Sequence, residues 1–468
     1  MNDAAKINVS EVIDHSRVGP FQILVLALCG MCLVMDGFDV QAMAYAAPAV
    51  IKEWHIDKSA LGPVFGAGLL GMLIGSLCFG VAADKLGRRP VLLAATLFLA
   101  VAMFLSAKAA SVHQLLVLRL VTGFAMGAIV PNAVALAGEF SPARFRVTLM
   151  MIVSSGFIVG GAVGGAVSSL LIPTFGWQSV FYAGAIAPLV IGLFMVAGLP
   201  ESLQFQVLRA RRLDKARLWL RRLDPACRLD SASVLVVNEA TDRRTPLIAL
   251  FRHGAARGTA LLWVINFMNM LAAYFLSAWL PAVMNGAGYS ASQAVWAGTA
   301  LWLGGVVGNL TLGWLVDRRG FGPVLLATFL TAGVAIASIS RAYSLPALAF
   351  AVIAVAGFCV LGGQSALNAL AATFYPTAAR STGLGCALGV GRLGAILGPV
   401  IGGALMSLGW TTESLFLTAA IPVLFAMIAT FAFWRGVPLT VPGGRIAGAT
   451  QEGAFRQHRA DAVEPFME

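Results

Sequence analysis

The chain has 468 residues, 59% hydrophobic and only 11% charged, with a mean hydropathy of +0.85. Water-soluble globules keep about 25% charged residues, so this composition excludes one and points to a chain built for lipid. A net charge of +11 raises the question of nucleic acid, and the placement of the basic residues answers it against that class.

Charged residues fall into short islands between apolar runs of roughly 20 residues, the length a helix needs to cross the hydrocarbon. Twelve spans follow, at about 21–50, 60–82, 90–107, 113–138, 147–171, 177–198, 259–284, 290–316, 323–340, 344–371, 381–406 and 411–434. With both ends in the cytoplasm, inside loops and tails hold 26 of the 32 Lys and Arg, and outside loops hold only Lys52, Lys58, Lys108 and Arg341. That is the positive-inside asymmetry, so the basic excess is topology. The expected organisation is a cytoplasmic tail 1–20 without a cleavable signal, six spans in 21–199, a central cytoplasmic loop 200–258, six spans in 259–434 and a tail 435–468.

Span 1 carries two carboxylates, Asp36 and Asp39, in the run Met35-Asp36-Gly-Phe-Asp39-Val40. Each costs about 2.5–3.5 kcal/mol to insert at a helix centre, and three residues apart they share a face. Such a pair suits a face that lines a water-filled path and handles a proton. Between spans 2 and 3 stands Gly80-Val-Ala-Ala-Asp84-Lys-Leu-Gly87-Arg88-Arg-Pro90. Span 4 contains Arg119 and ends near Glu139, followed by Phe140-Ser-Pro142 and Arg146. Span 5 carries Gly156, Gly160 and Gly164, spaced for close helix contact. The central loop, with 12 Lys/Arg and 6 Asp/Glu from Glu201 to Arg257, reads as a connector with a helical run over Leu203–Leu223.

The second half repeats the first. Gly313, Asp317, Gly320 and Pro323 follow Gly80, Asp84, Gly87 and Pro90 at a separation of 233, and Phe374, Pro376 and Arg380 follow Phe140, Pro142 and Arg146 at 234. Parallel repeats of this kind place a binding site between two halves near the midplane. Asn266 and Asn269 in span 7, and Gln364 and Asn368 in span 10, each share a helix face and suit either ring hydroxyls or helix-to-helix bonding. Phe38, Trp263, Tyr274 and Trp302 are candidates for stacking on an aromatic ring, with ordinary packing as the alternative. Arg119 and Arg392 are the intramembrane cations; each needs a carboxylate, either a substrate's or that of Asp36 or Asp39. The six cysteines read as small apolar filler, and the five histidines fall in loops, tails or a span end, which leaves no metal site to propose. The polar, Gly-rich tail after Trp434 is expected to be poorly ordered.

Together these residues resemble the major facilitator superfamily. The Gly80–Arg89 loop is similar to its signature between spans 2 and 3, Gly313–Gly320 to the degenerate second copy, and Arg119-x-x-x-Gly123-x-x-x-Gly127 to its proton-coupling motif. Asp36-Gly-Phe-Asp39 and Gly389-Val-Gly-Arg392-Leu-Gly resemble the aromatic acid:proton symporters, which import benzoate, hydroxybenzoates, gallate and hydroxyphenylpropionates into bacteria. Drug antiporters typically show Pro where span 5 here has Gly161, and the full pattern stands instead at Gly394–Gly403.

The resemblance implies an all-α membrane fold of twelve helices in two six-helix halves, in a bacterial inner membrane. It implies a monomeric symporter of a small aromatic carboxylate, with protons as coupling ion and no organic cofactor. Asp36, Asp39 and Arg119 would couple the proton. Arg392, Asp39, Phe38, Asn266, Asn269, Gln364 and Asn368 would bind substrate. Gly80, Asp84, Gly87, Arg88, Glu139, Arg146 and Asp317 would gate, with Asp84 facing a helix N-terminus. The residues alone leave open a carrier of non-aromatic acids, an efflux antiporter and a membrane sensor; no nucleophile–base pair or metal cluster suggests an enzyme.

Overall fold

The computed structural model describes residues 6–209, 213–223, 234–236, 250–251, 255–342, 345–375 and 380–437. Twelve helices among them are long and apolar enough to cross a membrane. They are Pro20–Trp54, Gly62–Leu86, Arg88–Ser106, Val112–Glu139, Arg146–Phe175, Gln178–Gly198, Ala256–Gly286, Ala291–Arg319, Phe321–Ala342, Pro346–Phe374, Arg380–Ser407 and Thr412–Gly436, taken here as spans 1 to 12. Most run a few residues past the apolar stretch read from sequence. A helix continues after the lipid ends, until a turn stops it. Lipid offers no partner for a free N–H or C=O, so the backbone satisfies itself within each helix.

The turns record the repeat. Every described residue with a left-handed backbone belongs to one of three pairs, each 233 residues apart: His55 with Gly288, Gly87 with Gly320, and Gly176 with Gly409. The separation read from the Gly80 and Gly313 loops therefore recurs at all three turn pairs, with the 234 spacing of Phe374 and Arg380 a local slip between them.

Within each half, glycines let helices touch backbone to backbone. A Cβ at Gly37 would strike the Phe157 carbonyl and one at Gly160 the Val34 carbonyl, so spans 1 and 5 meet without side chains between them. Between the halves, contact concentrates away from the chain's ends. Gly62 and Gly403 nearly touch, Phe65 packs edge-on to Trp279 at 5.1 Å, and Gln41 donates to the Ser277 carbonyl at 2.7 Å. Toward the terminus side the helices part, with nothing within 4 Å of a Cβ built at Gly80, Gly385 or Gly389.

The N-terminal stretch is more than a tail. Lys6–Asn8 pairs in parallel with Val234–Val236 of the central loop. Helix Val9–His15 buries Val9 and Ile13 beside it. Phe21 stacks on Trp219 at 5.2 Å. The helical run expected over Leu203–Leu223 is two helices, Leu203–Leu208 and Leu213–Leu223, because the helix stops at Arg209. The tail from 438 onward and Pro376 lie outside the described residues.

Candidate functional site, an intramembrane charge cluster

Asp36 and Asp39 lie one helical turn apart, and both are buried, at 0% and 1% exposure. Their surroundings differ. Arg119 of span 4 grips Asp39 with two nitrogens, at 3.0 Å to Oδ1 and 3.3 Å to Oδ2, and donates a further bond of 3.0 Å to the Asp39 backbone carbonyl. A planar guanidinium matched to both carboxylate oxygens is the strong form of this contact. Neither oxygen of Asp36 has a hydrogen-bond partner among the described residues. An ionised carboxylate left so costs several kcal/mol to bury, so the position calls for a proton or a cation.

Asp39 and Arg392 both act on the charge of Asp36, and the Tyr274 hydroxyl feels both Arg392 and Asp36. Arg392 stands half-buried on span 11. Its Nη1 donates across the gap between halves, to Ser76 Oγ at 2.9 Å and the Met72 carbonyl at 3.4 Å on span 2. A cavity beside this cluster is lined by Gln41, Met72, Arg119, Tyr274, Ser277 and Pro399, from both halves.

The four polar residues of spans 7 and 10 come together as one network. Asn269 donates to Gln364 Oε1 at 2.9 Å, and Gln364 donates to Asn266 Oδ1 and Asn368 Oδ1, each at 3.0 Å. They bond chiefly to one another, which is helix-to-helix bonding within the second half. Gln364 and Asn368 stay half-exposed, and Asn266 lies against Gly391, next to Arg392. Asn269 Oδ1 is buried without a partner.

Three of the four candidate stacking aromatics do not line the cavity. Phe38, expected among the substrate-binding residues, instead packs against Gly164 of span 5 and Gly184 of span 6, away from this cavity. Helix geometry accounts for this: two residues beyond Asp36 is about 200° round the helix, the far side from the carboxylate face. Trp263 packs edge-on against Phe251 at 5.4 Å, and Trp302 against Phe157 at 5.8 Å. Trp302 also fills the space left by Gly161, so a side chain there would displace its ring. Tyr274 alone of the four lines the cavity.

The Major Facilitator Superfamily model matches residues 28–249 and 262–460. The chain belongs to the Major Facilitator Superfamily. It is 37% identical over 425 residues to the 4-hydroxybenzoate transporter PcaK of Pseudomonas aeruginosa, covering 91% of this chain and 95% of that one. It is also 37% identical to a gallate transporter of Pseudomonas putida, covering 92% and 95%, and 33% identical to the 3-(3-hydroxy-phenyl)propionate transporter of Escherichia coli, covering 87% and 93%. The fold matches that of a D-xylose-proton symporter with a TM-score of 0.69 at 16% identity, covering 91% of this chain and 99% of that one. Relatives and fold set the chain among transporters, not enzymes.

The superfamily loop after span 2 is built differently from the expectation placed on Asp84. That side chain is exposed, and Asp84 accepts a bond from Arg209 only through its backbone carbonyl, at 3.3 Å. The carboxylate at a helix N-terminus is instead that of Glu201, which accepts from the Arg88 N–H at 2.9 Å and the Arg89 N–H at 3.2 Å. Gly87, at φ +100°, leaves the space this carboxylate fills. Arg88 pairs with Glu139, and Arg146 pairs with Asp14 while also reaching the Ser141 carbonyl at 3.2 Å. Gly80 has open space beside it, and Asp317 is exposed at the end of span 8. Sequence reading passed over Ser76, Gln41, Asp14 and Glu201. For Glu201 a signal exists: an acid just after Pro200, where span 6 leaves the lipid, is well placed to cap a neighbouring helix.

Proposed function

We propose that the chain is a proton-coupled importer of an aromatic carboxylate, working by alternating access as a monomer in a bacterial inner membrane, with both termini cytoplasmic. Asp36 carries this reading: a fully buried carboxylate without a hydrogen-bond partner among the described residues, with the Arg392 cation acting on it. The chain's 37% identity to a 4-hydroxybenzoate transporter over 91% of its length supports the substrate class. Asp39 is already neutralised by Arg119, which leaves Asp36 to take the proton. Arg392 supplies the fork that fits a substrate carboxylate. With the termini inside, the parted helix ends face the cytoplasm, as an inward-facing carrier requires. Loading Asp36 removes the charge that opposes closure of the apolar interface around it, and the Arg88–Glu139 and Arg146–Asp14 pairs, already formed here, hold the first half together as the halves rock.

Uptake of labelled 4-hydroxybenzoate into proteoliposomes tests this directly. Accumulation driven by an inward proton gradient and collapsed by a protonophore is expected, with competing gallate and hydroxyphenylpropionate ranking the substrates. Absence of both accumulation and exchange would overturn the substrate class. Asp36→Asn is expected to abolish accumulation while substrate exchange persists; full concentrative uptake by that variant would remove Asp36 from the coupling step.

A further inference from the structure

Arg392 is an intramembrane cation held by neutral acceptors alone: among the described residues no ion pair joins it to a carboxylate. Its bonds go to Ser76 Oγ and the Met72 carbonyl on the other half of the molecule. Ser76 is committed to accepting, because its own proton goes to the Leu73 carbonyl of span 2 at 2.8 Å. A hydroxyl that donates to its own helix presents only lone pairs outward. A guanidinium has five N–H donors and no acceptor, so the two groups match in one direction only.

Ser76 has an image in the second half. Asn309 stands 233 residues later, on span 8, and also bonds across the gap, from Nδ2 to Ser155 Oγ at 2.7 Å. Two equivalent positions thus tie the halves together. The Asn309 tie joins two neutral groups. At Ser76 the partner is a cation, which a carboxylate competes for with a stronger, charge-assisted and bidentate contact.

We propose that Ser76, with the Met72 carbonyl, is the resident ligand of Arg392 in the empty carrier, and that the substrate's carboxylate displaces it. This rests on Arg392 as the carboxylate-binding group. Arrival of substrate then unhooks span 11 from span 2 while the Asn309 tie holds, so loading and release of one side of the interface are a single event. Ser76 acts through Arg392; it is a positioning residue that sets affinity by competing for the guanidinium.

The prediction runs against the usual effect of removing a polar group. Ser76→Ala leaves Arg392 with one acceptor fewer, so labelled 4-hydroxybenzoate binds the purified full-length protein more tightly, by roughly three- to tenfold, the scale of one typical net hydrogen bond. KM for uptake falls with it, and the maximal rate does not rise. Ser76→Thr keeps the acceptor and restores wild-type affinity. Arg392→Gln loses binding. Unchanged or weaker binding by Ser76→Ala, with Arg392→Gln still losing it, overturns the role of Ser76 and leaves the proposed function standing. Wild-type protein that binds no 4-hydroxybenzoate, or binds it equally well as Arg392→Gln, overturns both.

Discussion

Asp36 and Asp39 share a helix face and a buried setting but differ in what their removal breaks. Asp39→Asn strips Arg119 of its anion in a site where both side chains are at most 5% exposed. Breaking a buried pair in this way costs about 3–5 kcal/mol. Asp36→Asn breaks no hydrogen bond. Thermal unfolding in detergent is therefore expected to show a large drop for the Asp39 variant and little change for the Asp36 variant; equal losses would mean that Asp36 has a structural partner. The two carboxylates and two arginines were legible because a charge in an apolar run stands out in any sequence. Which carboxylate Arg119 takes was not, since that depends on how span 4 meets span 1 across 80 residues of chain. Whether Phe38 stacks on a ligand or packs between helices was not legible, since both readings ask for the same apolar ring and differ only in the face it takes.

At the scale of elements, the twelve spans were legible because hydropathy and helix length are fixed by one physical quantity, the thickness of the hydrocarbon. What the apolar pattern lacks is any mark for helix ends that run on into water, so Pro20–Trp54 outlasts the predicted 21–50. The turns make a sharper test. Gly320 has φ +78° and ψ 166° with open space around it, an extended conformation nearly reserved for glycine, so Gly320→Ala introduces backbone strain without a clash, expected to cost about 1–3 kcal/mol. His55 sits in the milder left-handed helical region at φ 52° and ψ 39°, and His55→Gly trades that strain for chain entropy, with a net change of about zero. Midpoints of thermal unfolding for the two variants are expected to fall clearly apart. The Glu201 cap belongs here too: Glu201→Gln keeps an oxygen for the Arg88 and Arg89 N–H groups but loses the charge facing the helix dipole, a loss of about 0.3–1 kcal/mol.

For the molecule as a whole, the two-half plan was visible in the Gly80 and Gly313 loops, whereas the relative tilt of the halves has no counterpart in sequence. The same residues must support more than one arrangement, so no pattern in them can single one out. The structure closes the side carrying Gly62 and Gly403 and opens the side carrying Gly389. In a variant free of native cysteines, Gly389→Cys is expected to react with a water-soluble thiol reagent in the empty carrier, and Gly403→Cys to resist it. The reverse pattern would mean the empty carrier rests in the opposite orientation.

The three pairs of left-handed turns carry a consequence for how the two halves have drifted apart. From His55 to Gly176, and from Gly288 to Gly409, the chain takes the same number of steps, even though most side chains between them differ. Between them the register slips once, to 234 at Phe374, Pro376 and Arg380, and is back at 233 by Gly409, so one added residue is offset by one lost. Substitution has been free while the residue count between the paired turns has been restored, which marks the spacing of the turns as the quantity under constraint. A one-residue deletion in any of these short turns should therefore do more harm than most substitutions in the helices they join.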